Sequence, residues 1–268
     1  MSTDRSRADS PAGNLDAALA EALDRVAATE KLLVAMDFDG TLAPIVPKAS
    51  DARPLPGSAA ALDVLCRLPW TTVALVSGRD VDTLRGLAKP SQLIALIGSH
   101  GAEIWLGPHA DPLTLTPEQE DLLASVRTSL AELSGRYPGT TLEHKPAAVV
   151  LHTREADDDV AAAAEAEAAE LLEGMDGVFV TPGKRVIECA VVKSSKGEAL
   201  QLLRQEVGAT AVVYAGDDTT DETAFNRLLP DDVGIKVGDG FTAAGFRVGS
   251  PAEVQLLLER LQQARWNR

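Results

Sequence analysis

Four short stretches of this chain set carboxylates, hydroxyls and a lysine beside glycines. The first is Asp37-Phe38-Asp39-Gly40-Thr41, directly after the apolar run Leu32-Leu33-Val34-Ala35-Met36. Two carboxylates two residues apart at the end of a buried strand repel each other unless a cation compensates. Mg²⁺ suits that task, since it takes oxygen ligands and keeps several waters. Alone, Asp-x-Asp-Gly reads equally as an Asx-type turn; the apolar run before it and Thr41-Leu42 after it weigh toward a site. The second stretch is Ser77-Gly78-Arg79, just ahead of a helix. Its hydroxyl and the free N–H groups of a helix start form a phosphate cradle, although a lone serine here would read as an N-cap. The third is Lys196 in Ser194-Ser195-Lys196-Gly197, a cation able to bridge a nucleophile and phosphoryl oxygens. The fourth is Gly216-Asp217-Asp218-Thr219-Thr220-Asp221-Glu222. The helix dipole favours acids at a helix start, but it calls for one or two. Four crowded together are better explained as the second half of a metal site.

These stretches need elements that bring them together. The spacing predicts an amphipathic helix over 15–31, then strands at 32–36, 71–76 and 93–97 alternating with helices at 58–68 and 80–87. The last of these strands stops at Gly98-Ser99-His100-Gly101. The alternation resumes at Lys196, with a helix over 197–205, a strand over 211–215, a helix over 221–228, a strand over 233–237 and a helix over 251–263. Strand, loop, helix, strand is the signature of an α/β fold with a parallel sheet. The carboxyl ends of such strands line one crevice, so the loops should meet there. Between the two halves the rhythm changes. Helices over 117–134 and 157–173, an extended stretch over 140–153 and strands over 178–181 and 185–192 predict a small α+β unit. The expected organisation is a core of residues 14–111 and 192–268, an inserted cap of residues 112–191, and a disordered tail of residues 1–13.

Composition excludes several functions. A formal net charge of −15 over 268 residues disfavours nucleic acid, whose phosphates need basic patches. No apolar run approaches the ~20 residues of a membrane span, and the polar first thirteen residues lack the apolar stretch of a signal peptide. A cytoplasmic monomer with Cys66 and Cys189 as reduced, buried thiols is expected. His100, His144 and His152 have no metal-ligand spacing, and His109 sits by a proline-rich turn. Gly-x-Ser-x-Gly, His-Glu-x-x-His and the P-loop pattern are absent from the sequence.

In this order, the four stretches resemble the four motifs of the haloacid dehalogenase (HAD) superfamily. Their wording, with Leu42-Ala43-Pro44-Ile45 after the first and Gly98-Ser99-His100-Gly101 between second and third, resembles trehalose-6-phosphate phosphatases. The resemblance implies a HAD-like Rossmannoid core with a C2-type cap, and Mg²⁺-dependent hydrolysis of a small-molecule sugar phosphate, trehalose 6-phosphate, to trehalose and phosphate through an aspartyl-phosphate. It implies Asp37 as nucleophile and Asp39 as acid and base. Ser77 and Lys196 would neutralise the transferring group. Mg²⁺ would be held by Asp37, the Asp39 carbonyl and Asp217, with Asp218 and Asp221 positioning waters or shell ligands. Gly78, Arg79, His100 and Gly101 would face substrate from the core, and Glu143, Lys145 and Glu188 from the cap. His152 and Arg154 match the family's His-x-Arg pattern. The chain departs from the family at Ala190-Val191, often a basic residue then proline, and at Thr153, often aromatic. The alternatives that remain are another HAD sugar phosphatase, acting on sucrose 6-phosphate, mannosyl-3-phosphoglycerate or a hexose phosphate, and a non-catalytic sugar-phosphate sensor.

Overall fold

The computed structural model describes residues 15–108, 113–183 and 185–268. The expected tail, the junction at 111/112 and His109 lie outside the described residues. In the core, α1 (Ala17–Ala27) is followed by β1 (Leu32–Asp37), α2 (Pro56–Leu65), β2 (Thr71–Val76), α3 (Val81–Ala88), β3 (Ala95–Gly98) and β4 (Glu103–Trp105). The intervening segment holds α4 (Pro117–Ser134), β5 (Thr141–His144), β6 (Ala148–His152), α5 (Asp158–Glu173), β7 (Phe179–Gly183) and β8 (Val186–Ala190). The core then resumes with α6 (Lys196–Val207), β9 (Ala211–Gly216), α7 (Glu222–Phe225), β10 (Val233–Val237), β11 (Phe246–Val248) and α8 (Pro251–Trp266).

The core sheet runs β11-β10-β9-β1-β2-β3-β4, parallel throughout except for the antiparallel β3–β4 pair. β1 is central and buried at every position, which is why its sequence is a continuous apolar run rather than an alternating one. Period-two alternation splits its side chains between two layers. Leu32, Val34 and Met36 pack with α1, α2, α3 and α8, while Leu33 and Ala35 pack with α6, α7, Val212 and Tyr214. Both faces are thus covered by helices. β1 pairs with β2 on one side and β9 on the other, so Asp37, Ser77 and Asp217 emerge side by side at the same end of the sheet.

The inserted segment forms a second, antiparallel sheet in the order β5-β6-β8-β7. Leu142, Val149, Leu151, Ile187 and Cys189 form one face, packed on α4 and α5. The register sets Glu143 beside Val150 and Val150 beside Glu188, so these two acids occupy one row of the opposite face.

The structure departs from expectation in four places. The extended stretch over 140–153 is broken between β5 and β6, where Pro146 has no N–H to give and the Lys145 N–H bonds to the Ala148 carbonyl. The helix expected over 221–228 is a single turn at 222–225, preceded by a 3₁₀ turn at 219–221. β4 and β11, three residues each, were not anticipated.

Candidate active site

β1 ends on Asp37, a residue 3% exposed. The chain then turns within four residues, the amides of Leu42 and Ala43 both bonding to the Phe38 carbonyl. Gly40 makes the turn at φ +79°, and a Cβ there would lie 2.0 Å from Asp217 Oδ2. Glycine is required on both counts: the left-handed backbone and the carboxylate packed over it. Lys196 opens α6, capped by Ser195, whose Oγ accepts from the Glu198 N–H. Its buried ammonium donates to Asp37 Oδ1 at 2.7 Å and Asp221 Oδ1 at 2.8 Å.

Asp221 is fully buried and heavily engaged. Besides Lys196, it accepts from the Tyr214 hydroxyl at 2.6 Å and, through Oδ2, from the Asp218 N–H at 2.9 Å. Asp217 sits over Gly40, and its own carbonyl accepts from Lys236, a buried lysine on β10. Asp218 is turned aside, its carboxylate accepting from the Thr219 N–H at 2.7 Å. Ligand oxygens of Asp37, Asp217 and Asp221 lie within 4.8 Å of one another. Of the expected metal residues, these three are brought together through their carboxylates, and Asp218 is not among them.

Lys196 bonds two of these acids and Lys236 the backbone of the third, and the electrostatics record the remaining excess of negative charge. Burial pushes Asp37 well above the ordinary carboxylate value; Asp221 and Asp217 add to the shift while Lys196 opposes it. Burial, with Asp221, raises Asp217 to about 6. Burial works against the charge on Lys196, yet Asp37 and Asp221 outweigh it and hold the ammonium above its ordinary range. Asp37 Oδ2 is buried with no hydrogen-bond partner. An all-oxygen donor set with excess negative charge, its ligand atoms within 4.8 Å of one another, is what a hard divalent cation takes up. The residues fit Mg²⁺.

At the end of β2, buried Ser77 accepts from the Arg79 N–H at 3.1 Å. The Arg79 guanidinium holds both oxygens of Asp39, at 2.6 and 2.7 Å. His100 lies against Gly78, where a Cβ would come within 2.4 Å of the imidazole. Burial lowers its pKa, leaving the ring neutral near pH 7. The ring stands 3.7 Å from Glu188, so His100 is one of the points where core meets cap. Gly101, at φ +108°, packs on the Ser195 carbonyl, joining this loop to the start of α6.

From the cap, Lys145 donates to the Gly78 carbonyl at 2.7 Å and to Glu188. Glu143 is bonded to His152 at 2.8 Å, and that bond, chiefly, lowers the Glu143 pKa. The polar face of the cap sheet therefore closes over the Ser77-Gly78-Arg79 loop.

A sequence model of the trehalose-phosphatase family matches residues 35–245. The chain belongs to the trehalose-phosphatase family. Among its relatives, a trehalose-phosphate phosphatase of Mycobacterium avium is 37% identical over 253 residues, covering 85% of this chain and 61% of the relative. A bifunctional trehalose-6-phosphate synthase/phosphatase of Thermoproteus tenax is 31% identical, covering 88% of this chain and 32% of the relative. The chain thus spans less than two thirds of the length of these curated relatives. An Aspergillus fumigatus trehalose-6-phosphate phosphatase structure superposes with a TM-score of 0.68 at 26% identity, covering 93% of this chain and 98% of that one. The trehalose-phosphatase core and cap have the fold also seen in haloacid dehalogenase-like hydrolases. Among the described residues, no helix is long and apolar enough to cross a membrane.

Two residues that touch this trehalose-phosphatase site are absent from the sequence reading above. Lys236 had a signal, as the one charged residue of the strand Val233-Gly234-Ile235-Lys236-Val237. Tyr214 had a fainter one: it stands two residues before Gly216 among small and aliphatic strand residues.

Proposed function

We propose that the chain is a Mg²⁺-dependent phosphatase that releases trehalose from trehalose 6-phosphate through an aspartyl-phosphate. The observation that carries this reading is the asymmetric engagement of Asp37. One oxygen is fixed by Lys196, and the other is buried, unpartnered and beside the acid cluster. An anionic nucleophile reaches a phosphate ester only if the mutual repulsion is neutralised.

Asp37 Oδ2 attacks phosphorus while Lys196 keeps the carboxylate oriented. The phosphorus–oxygen bond to the sugar breaks, and Asp39, after taking up a proton from solvent, passes it to the departing oxygen. For that, Asp39 must leave Arg79, whose guanidinium is then free to pair with the phosphoryl oxygens. Ser77 adds a hydroxyl to the same group. Asp39 then takes a proton from the water that attacks the phosphoenzyme, restoring Asp37. Asp37, the Asp39 carbonyl and Asp217 would hold Mg²⁺, which would supply positive charge against the transferring phosphoryl group. Glu143, Lys145 and Glu188 hydrogen-bond the sugar hydroxyls, and the closed cap keeps bulk water away. The reading further takes the protein as a cytoplasmic monomer.

The test is phosphate release from trehalose 6-phosphate, measured beside sucrose 6-phosphate and glucose 6-phosphate, with and without EDTA. The expected result is turnover of the trehalose ester at least about tenfold above the others, abolished by chelation. Preference for another ester would reassign the sugar; turnover that survives EDTA would remove the metal.

A further inference from the structure

Tyr214 lies on β9 with its ring in the layer between the sheet and α6–α7, completely buried. Phe225 meets the ring edge-on, with centroids 5.5 Å apart and planes at 76°. That contact fixes the ring, and among the described residues the hydroxyl then donates to one acceptor, Asp221 Oδ1 at 2.6 Å. The same oxygen accepts from Lys196, whose ammonium also holds Asp37. The four groups form one chain: Tyr214 hydroxyl, Asp221, Lys196, Asp37. Gly216 closes the arrangement, since a Cβ there would lie 2.3 Å from the Asp221 Cγ.

We propose that Tyr214 is a positioning residue for the nucleophile: its hydroxyl fixes the Asp221 carboxylate, which fixes Lys196 on Asp37 Oδ1 and leaves Oδ2 to react. The inference rests on the phosphatase reading for its kinetic consequence but not for its geometry. A rotating Asp221 would let the lysine drift between two carboxylates, and misplacing a reacting group even slightly lowers the rate without weakening substrate binding.

Tyr214→Phe tests this directly, because it keeps the ring and its contact with Phe225 and removes one oxygen. With p-nitrophenyl phosphate and with trehalose 6-phosphate, kcat per folded molecule should fall about tenfold while KM stays within about twofold. In an Asp221→Asn background the same substitution should cost no more than about twofold, since residues acting through one another are not additive. A Lys196 ammonium signal in ¹⁵N-lysine-labelled protein should shift and exchange its protons about tenfold faster in Tyr214→Phe. An unchanged kcat, a full loss repeated in the Asp221→Asn background, or an unmoved Lys196 signal would each overturn the proposal. The ammonium signal needs no turnover, so an inactive wild type would count against the phosphatase reading while this measurement still decides the role of Tyr214.

Discussion

Arg79 grips both carboxylate oxygens of Asp39, at 2.6 and 2.7 Å, in a two-pronged ion pair stacked over the ring of Phe38. The residue assigned to give up a proton is thus held by a cation in the ligand-free protein. In the proposed mechanism, breaking this pair frees Asp39 for proton transfer and Arg79 for the phosphoryl oxygens together.

The leaving group reveals whether Asp39 acts as the acid. A sugar alkoxide needs a proton to depart, whereas p-nitrophenolate does not. Asp39→Asn should therefore lower the rate of the first step at least about a hundredfold on trehalose 6-phosphate, a typical worth for general acid catalysis. The burst of p-nitrophenol from the aryl ester should fall by about tenfold or less. Rapid-quench kinetics on both substrates makes the comparison, and equal losses would assign the proton to another group.

With the cap acids assigned to the sugar hydroxyls, their loss should be felt only by a substrate that carries the sugar. Glu188 is bonded to Lys145 and stands 3.7 Å from His100. Glu188→Ala should reduce kcat/KM at least about thirtyfold for trehalose 6-phosphate and about threefold or less for the aryl phosphate, as expected where a buried polar partner is left unpaired. Steady-state kinetics on the two esters checks this; parallel losses would mean that Glu188 only holds the cap shut.

Gly40 tests the metal half of the site. A methyl group there would lie 2.0 Å from Asp217 Oδ2, and the backbone is at φ +79°. Gly40→Ala should displace the Asp217 carboxylate and weaken Mg²⁺ binding at least about tenfold, with far-UV circular dichroism unchanged. Isothermal titration with Mg²⁺ gives the answer. An unaltered affinity would exclude Asp217 as a ligand.

The pH dependence follows from the same residue. Asp217 sits at about 6 in the folded protein, above its ordinary value of 3.8. Because the folded state holds this proton more tightly, the contribution to stability is present at low pH and is lost as pH rises through about 6. Mg²⁺ needs the carboxylate, so at about pH 5.5 binding must expel a proton, and at about pH 7.5 it need not. The rise in Tm on adding Mg²⁺ should be larger at the higher pH. Equal shifts by scanning fluorimetry at both values would contradict the assignment.

Much of this was legible in the sequence because buried parallel strands write themselves as apolar runs that stop at polar, glycine-bearing loops. Leu32–Met36 ends at Asp37 and Ala211–Ala215 ends at Gly216-Asp217, so the two halves of the acid cluster could be placed before any coordinates. Side-chain partnerships were not legible. The Arg79–Asp39 pair joins residues 40 apart, and nothing in the wording of either loop distinguishes a free carboxylate from one already held. Tyr214 reads as an ordinary aromatic strand residue until Asp221 is seen above it. β4 and β11 are too short to establish a period, and Arg247 interrupts the second of them. The terminal helix hides one more case. Arg265 looks like a solvated charge on α8, yet it is buried and donates to the Ala27 carbonyl and the Thr71 hydroxyl, fastening α8 beneath the sheet.

Reduction by borohydride during turnover tests the central claim most directly, since an aspartyl-phosphate is an acyl phosphate and is reduced to homoserine. With Mg²⁺ and trehalose 6-phosphate present, peptide mass mapping should find homoserine at position 37 and at no other aspartate. Omitting either component should abolish the conversion. An unmodified Asp37, or homoserine at a different aspartate under turnover, would contradict the account.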